Sequence, residues 1–130
     1  MNAAKHWAMW KGETITFRPN QNMLDHFADT HHALALAKIE CHFFKHKAWL
    51  QQNPLLSRMN LISTIPAVII HGRYDMICPL DNATTLASQW IEADLQIIRD
   101  AGHASLEPSI TDALIRATDN YASKVENPTF

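Results

Sequence analysis

The sequence predicts an α/β fold in which parallel strands are joined by crossover helices. Two short apolar runs, over 67–70 and 95–98, are typical of strands buried on both faces of a parallel sheet. Apolar residues at helical spacing predict a helix over 81–90, between the two strands, and a final amphipathic helix over 109–121. A strand, a helix and a second strand in this order predict a parallel pair with a right-handed crossover.

The first half of the chain is predicted to be helical. Apolar residues over 3–10 recur at near-helical spacing, and Gly12 is predicted to end this helix. Residues 23–49 have the pattern of one or two amphipathic helices, with a break near Thr30. The aromatic residues of this first half are best explained as packing residues of a helical layer.

The composition limits the classes of partner that the chain is expected to bind. The 130 residues carry a net charge of -2 with scattered Lys and Arg residues, so no nucleic-acid partner is predicted. No apolar run approaches the roughly 20 residues of a membrane helix, and no signal region is found at the start, so no membrane partner is predicted. Cys41 and Cys78 lie far apart and are predicted to be free thiols in a reducing cytoplasm.

Asp75 and His103 each follow one of the two predicted strands. Parallel strands lie about 4.8 Å apart and end at the same edge of the sheet, so the two side chains are expected within hydrogen-bonding distance. Gly72 and Gly102 are expected to give the backbone freedom for tight exits from the sheet. In α/β-hydrolases the acid and then the histidine of a Ser-His-Asp triad follow in this order. The alternative is a turn aspartate and a loop histidine without a catalytic role.

A triad of this kind also needs a serine nucleophile, which lies earlier in the chain in a Gly-x-Ser-x-Gly turn. No serine of this sequence has glycines at those flanking positions; the serines are Ser57, Ser63, Ser88, Ser105, Ser109 and Ser123. The sequence therefore predicts the acid and the base of a triad without its nucleophile and oxyanion hole.

The residues around the acid and the histidine resemble one family closely. The segment over 65–79, with Gly72-Arg73-Tyr74-Asp75, is similar to the acid segment of bacterial proline iminopeptidases, also called prolyl aminopeptidases. The segment over 95–104, with Gly102-His103, is similar to their histidine segment. The resemblance implies a serine-type hydrolase that releases N-terminal proline from peptides and needs neither a cofactor nor a metal.

The resemblance extends to the first half of the chain. Residues 3–10 and 37–44 look like helices of the family's cap domain. The resemblance implies a partial helical cap domain over 1–60, followed by the C-terminal part of an α/β-hydrolase core over 61–130.

The resemblance also implies roles for individual residues. Asp75 would be the triad acid and His103 the base. In this family acidic cap residues bind the free amino group of the substrate, and Glu40 occupies one such position. At the second position, after Trp10, this chain has Lys11, so that only the shifted Glu13 is left as a substrate-binding candidate.

We expect the 130 residues to be a fragment that is inactive as an isolated chain. Without a serine no acyl-enzyme can form. A peptide with an N-terminal proline is the partner expected of a complete enzyme. A complementary N-terminal fragment, or a second copy of this chain, is the partner expected of the fragment.

Two alternatives remain at this stage. His42 and His46 lie four residues apart in a predicted helix, and with the upstream pair His31 and His32 they leave a metal-binding protein as an alternative to surface histidines on a cap helix, the preferred account. The other alternative is a binding or assembly module without catalysis, which pairs with a partner through an exposed sheet edge.

Overall fold

A computed structural model of the protein describes residues 2–51 and 55–126. In this part of the chain, three helices are followed by a strand–helix–strand–helix unit. The elements are α1 (Asn2–Thr14), α2 (Gln21–Ala28), α3 (Thr30–Lys45), β1 (Ala67–Gly72), α4 (Leu80–Gln89), β2 (Ala93–Ile98) and α5 (Pro108–Glu126). Two 3₁₀ turns, Lys47–Trp49 and Leu56–Leu61, lie between α3 and β1.

The strands β1 and β2 form a parallel pair. Ala67 lies beside Ala93 at one end of the pair, and Gly72 lies beside Ile98 at the other. The two strands predicted from apolar runs are confirmed, and each is two residues longer than predicted. Because both strands end at the same register position, the loops that follow them leave the sheet at one edge, where the functional residues of parallel sheets are found.

Two helices cover the strand pair. The crossover helix α4 packs against β1 and β2, and α5 packs against β1. The helix predicted over 81–90 begins one residue earlier, with Asp81 in its first turn, where a carboxylate favours the helix dipole. The last helix begins at Pro108, because proline fits the first turn of a helix, and it buries Ile110 and Ala113.

The first three helices form a layer in which α1 contacts both α2 and α3. The predicted break near Thr30 is confirmed, since α2 ends at Ala28 and α3 begins at Thr30. Asp29 caps α3, where its side chain accepts a hydrogen bond of 2.8 Å from the His32 backbone N–H. Asn20 caps α2 in the same way, accepting from the Met23 N–H at 3.1 Å.

The prediction that Gly12 ends the first helix is wrong. Helix α1 continues through this buried glycine to Thr14. A Cβ at this position would lie 3.0 Å from the Cβ of Phe27 in α2, so the glycine allows the two helices to approach closely. Glycine is common both at helix ends and at close helix contacts, and the pattern of a single sequence does not separate the two.

Few large side chains are buried in the described part of the chain. The buried apolar residues are mostly small: Ala8, Ile15, Ala33, Met59, Ala83, Ala101, Ala104, Ile110 and Ala113. Large apolar residues lie at the surface instead, including Phe44 at 64% and Ile91 at 81% exposure. Within residues 2–51 and 55–126, no helix has both the length and the apolar character needed to cross a bilayer.

Candidate active site

The loop after β1 holds the Asp75 carboxylate in a fixed orientation. Its Oδ1 accepts hydrogen bonds from two backbone N–H groups, those of Ile77 at 2.9 Å and Cys78 at 2.8 Å. This is the usual way in which an aspartate stabilises its own turn. The side chain is only 5% exposed, so Oδ2 is presented to the neighbouring loop rather than to bulk solvent.

His103, in the loop after β2, completes the pair. Its Nδ1 lies 2.9 Å from Asp75 Oδ2, which confirms the predicted adjacency of the two residues at the ends of parallel strands. An ionised carboxylate can only accept, so Nδ1–H is the donor and the neutral ring keeps its lone pair on Nε2. The side chain of His103 is 38% exposed, so part of the ring is open to a reacting group.

The surroundings of Asp75 favour its ionised form. Burial alone would raise the pKa of this carboxyl group, but hydrogen bonds from the Cys78 N–H, the His103 ring and the Ile77 N–H outweigh that effect. The pKa of Asp75 is therefore lowered from its ordinary value of 3.8. A carboxylate that stays ionised can orient the imidazole and stabilise its protonated form.

Gly72 allows the loops after β1 and β2 to approach each other because it has no side chain, whereas the sequence predicted a need for backbone freedom. All three glycines of the chain have negative φ angles, so the tight exits do not depend on left-handed backbone. A Cβ on Gly72 would overlap the carbonyl oxygen of Gly102 and lie 2.7 Å from that of Ala101. The absence of a side chain at Gly72 thus lets the His103 loop pack directly on the end of β1.

Sequence reasoning missed a carboxylate that holds the His103 loop. Glu107 Oε1 accepts a hydrogen bond from the Gly102 N–H at 2.6 Å, and Oε2 accepts from the Phe17 N–H at 2.9 Å. The carbonyl of Ile15 accepts from the N–H groups of His103 and Ala104, both at 2.8 Å. The loop is therefore fixed against the segment that follows α1. The position of Glu107 directly before Pro108, at the start of α5, was the one local indication that it closes a loop.

A second histidine lies near the acid. His71 Nε2–H donates to the carbonyl oxygen of Cys78 at 3.0 Å, and the same nitrogen lies 3.7 Å from Asp75 Oδ2. Burial and the negative charge of Asp75 raise the pKa of the Cys78 thiol. Because the thiolate is the reactive form, this environment does not activate Cys78 as a nucleophile.

A cleft with a volume of about 320 Å³ lies beside the pair. Its polar lining includes Ser105, and α5 contributes the apolar residues Ile110 and Leu114. The lining residues are Ile70, His71, Gly72, Asp75, Cys78, Gly102, His103, Ser105, Ile110 and Leu114. The cleft can therefore place a small group against the imidazole, with apolar surface on one side.

The two predicted substrate-binding carboxylates do not line this cleft. Glu40 projects from α3 toward α1, where its oxygens accept hydrogen bonds from Trp7 Nε1 at 2.6 Å and from Lys11 Nζ. Glu13 is exposed and lines a separate hollow between α1 and α2. The structure thus brings Asp75 and His103 together and leaves Glu40 and Glu13 at other positions.

The histidines of α3 have aromatic partners. The rings of His42 and His46 lie 4.8 Å apart, and His46 stacks on Trp49 at 5.3 Å. Across residues 2–51 and 55–126, the one group of three potential metal ligands is Asp75, Cys78 and His103, whose donor atoms lie within 4.8 Å of one another. A carboxylate, a thiolate and an imidazole are ligands that Zn²⁺ accepts, so a metal would compete with the acid–base pair for the same atoms.

The chain is similar to curated proline iminopeptidases over most of its length. It is 42% identical to the proline iminopeptidase of Xanthomonas citri over 121 residues, which are 92% of this chain and 39% of that protein. It is 37% identical to the proline iminopeptidase of Arabidopsis thaliana over 118 residues, 90% of this chain and 31% of the relative. The chain thus spans less than two-fifths of the length of these relatives. No protein-family model matches it.

A solved structure supports the fold. An esterase from Exiguobacterium antarcticum superimposes on 97% of this chain and 47% of its own, with a TM-score of 0.50 and 16% sequence identity. At this identity the likeness concerns the fold alone. The chain is therefore homologous to the proline iminopeptidases, over a part consistent with their C-terminal portion, and it has a partial α/β-hydrolase fold.

Proposed function

We propose that these 130 residues carry the acid and the base of a serine-type prolyl aminopeptidase site. The observation that carries the proposal is the 2.9 Å contact between His103 Nδ1 and Asp75 Oδ2 at the edge of an open cleft. The names of the homologous proteins support the reaction class, hydrolysis of a peptide bond after an N-terminal proline. In the same proposal, residues 1–60 form part of a helical cap and residues 61–130 part of the core.

Each residue of the pair has a separate role in this reaction. Asp75 keeps the proton of the neutral imidazole on Nδ1, so that Nε2 is free to act as the base. His103 Nε2 then takes the proton of a serine hydroxyl as its oxygen attacks the prolyl carbonyl carbon, and later gives that proton to the leaving amine. Water repeats the attack on the acyl-enzyme and releases proline.

The serine and the oxyanion donors are proposed to come from residues outside these 130. Ser105 lines the cleft but lies in the histidine loop itself, two residues after the base, rather than in a strand-to-helix turn. One oxyanion donor alone is worth about 2.7–4 kcal/mol of transition-state stabilisation. We therefore expect the purified 130-residue chain to release no arylamine from a proline arylamide above the buffer rate.

A chimera tests the function directly. It joins these 130 residues to the part of the Xanthomonas citri relative that they do not match, and its activity is measured on a proline arylamide. We expect hydrolysis that falls by on the order of 10⁶-fold in His103→Ala and by on the order of 10⁴-fold in Asp75→Asn. The exposed α1 histidine provides a matched control, His6→Ala, which should keep full activity.

Two results would contradict the proposal. The first is a folded chimera whose activity does not depend on His103. The second is hydrolysis by the 130-residue chain alone that disappears in His103→Ala, because a residue within the chain would then supply the nucleophile.

The proposed location is the cytoplasm. Cys41 and Cys78 are both free and exposed, as expected of thiols in a reducing compartment. A fluorescent fusion of the chain located in the cell provides the direct test.

A further inference from the structure

Asp75 and Cys78 belong to one turn, and the contacts that orient the acid also hold the cysteine. The Cys78 backbone N–H donates to Asp75 Oδ1 at 2.8 Å, and the Cys78 carbonyl oxygen accepts from the His71 ring at 3.0 Å. The backbone of Cys78 is therefore held at both its N–H and its carbonyl group, while the residue itself is exposed.

The thiol, the carboxylate and the imidazole of His103 converge at the end of the strand pair. One possible ligand atom of each residue lies within 4.8 Å of those of the other two, and His103 Nδ1 lies 2.9 Å from Asp75 Oδ2. Around a tetrahedral Zn²⁺ with bonds of about 2.0–2.3 Å, three such atoms lie about 3.3–3.7 Å apart. Side-chain movements on the order of 1 Å would give these distances.

We propose that Asp75, Cys78 and His103 form a Zn²⁺ site, and that a bound ion switches the acid–base pair off. Metal binding rests on these three side chains alone, whereas the inhibition rests on the proposed function. Three protein ligands leave one position of a tetrahedral Zn²⁺ to water, and the adjacent cleft of about 320 Å³ gives that water access.

Inhibition follows from the single lone pair of a neutral imidazole. Whichever ring nitrogen of His103 binds the ion, the other nitrogen carries the proton. No lone pair is then left to accept the proton of a serine hydroxyl. The Cys78 thiol gives its proton to solvent and binds as the thiolate, so the ion forms no bond that a chelator cannot break.

The thiolate sets which metal ions the site accepts. Sulfur ligands favour Zn²⁺ and other ions of similar softness, whereas Mg²⁺ prefers oxygen ligands and octahedral geometry. The site is therefore selective for Zn²⁺ over Mg²⁺. Without Cys78 the remaining carboxylate and imidazole would lose both this selectivity and one of three protein ligands.

The first test titrates Zn²⁺ into the 130-residue chain in competition with a coloured chelator. We expect one tightly bound ion per chain and no competition from Mg²⁺. Cys78→Ser should weaken Zn²⁺ binding by at least about 100-fold, because even the loss of a partner behind a ligand costs about 10–100-fold. The other exposed thiol of the chain provides the matched control, Cys41→Ser, which should leave the affinity unchanged.

Two spectra identify the ligands without a variant. Co²⁺ in place of Zn²⁺ should give the charge-transfer absorption of a thiolate–cobalt bond. In nitrogen-15 NMR, Zn²⁺ should change the His103 ring signals to those of a metal-bound imidazole and leave the signals of the exposed His6 unchanged. The absence of either effect on the unmodified chain would overturn the proposal.

A second pair of histidines provides a competing location. The rings of His42 and His46 lie 4.8 Å apart on α3 and offer two imidazoles. We expect the double variant His42→Ala with His46→Ala to keep the tight Zn²⁺ site. Tight binding that is lost in this double variant and kept in Cys78→Ser would place the ion on α3 and overturn the proposal.

The chimera tests the inhibition. We expect Zn²⁺ to abolish its hydrolysis of a proline arylamide and EDTA to restore it. In the Cys78→Ser chimera, at least about 100-fold more Zn²⁺ should be needed for half-inhibition, measured against the metal-free rate of that variant. An active chimera that Zn²⁺ does not inhibit, or inhibits equally in both forms, would refute the switch.

The two experiments separate this inference from the proposed function. If the 130-residue chain binds Zn²⁺ through Cys78 and His103 but the metal-free chimera does not hydrolyse the arylamide, the metal site stands and the prolyl hydrolase function is rejected. If the metal-free chimera is active and dependent on His103 but the chain binds no Zn²⁺ at Cys78, only the metal site is rejected.

Discussion

At the scale of single residues, the site depends on the Asp75 carboxylate, because both of its oxygens accept hydrogen bonds from groups of the protein. Asp75 Oδ1 is held by two backbone N–H groups and Oδ2 by His103, so the orientation of the acid is fixed before any substrate arrives. The adjacency of Asp75 and His103 could be predicted from the sequence because each lies in the loop that follows an apolar strand. The anchor Glu107 could not, because its partner Phe17 is 90 residues away in the chain.

The lowered pKa of Asp75 makes stability depend on pH. Since the native pKa lies below the ordinary value of 3.8, the ionised form stabilises the fold fully above that pH, and the contribution is lost as pH falls through the native pKa. We expect Asp75→Asn to lower the free energy of unfolding by about 1–3 kcal/mol at pH 7 and by much less near pH 3. Urea unfolding at both pH values measures the effect.

The exposed aspartate of α5 provides the control. Asp119→Asn should change the free energy of unfolding by no more than about 0.5 kcal/mol at either pH. An Asp75→Asn penalty that is equal at pH 7 and pH 3 would mean that the charge of Asp75 does not stabilise the fold.

At the scale of secondary-structure elements, the parallel pair β1–β2 places the site. Apolar runs predicted both strands, and helical spacing predicted α4 and α5, because buried strands and amphipathic helices differ in period. The prediction that Gly12 ends α1 was wrong. Gly72 was predicted to supply backbone freedom, but it instead leaves room for the His103 loop. Both glycines serve close packing between elements distant in sequence, which a local pattern does not record.

The two glycines should respond differently to alanine. Gly72→Ala would drive a Cβ into the backbone of the His103 loop, and we expect a loss of about 1–3 kcal/mol or more in the free energy of unfolding. Gly12→Ala meets side chains and no backbone, those of Phe27 at 3.0 Å and Leu24 at 3.5 Å, and the helix gains about 0.5–1 kcal/mol from alanine. Thermal unfolding of both variants measures the contrast, and equal effects would refute the close approach at Gly72.

At the scale of the whole molecule, much apolar surface is exposed on the described residues. Trp10 and Phe44 both pack against Trp7 and are 51% and 64% exposed. The sheet seen in residues 2–51 and 55–126 has two strands, fewer than an independently stable sheet usually needs. The fold class could be predicted from the sequence, but the extent of this surface could not, because exposure depends on packing between elements.

We expect the chain to associate in solution through this apolar surface. Sedimentation velocity should show a sedimentation coefficient that rises with protein concentration. The variant Trp10→Ser with Phe44→Ser should associate less, whereas serine substitutions at two exposed polar positions, Asn2 and Gln89, should not change association. A monomer at all concentrations in the unmodified chain would contradict this expectation.

The central claim is that Asp75 fixes His103 with its proton on Nδ1 and leaves Nε2 as a base. Nitrogen-15 NMR of the histidine rings, recorded on the 130-residue chain at the alkaline end of their titration, tests this claim most directly. We expect His103 to be almost entirely in the Nδ1–H form, and Asp75→Asn to abolish that preference, while the exposed His6 shows the ordinary mixture of forms in both chains. A His103 ring that carries its proton on Nε2, or that shows the same mixture as His6, would contradict the claim.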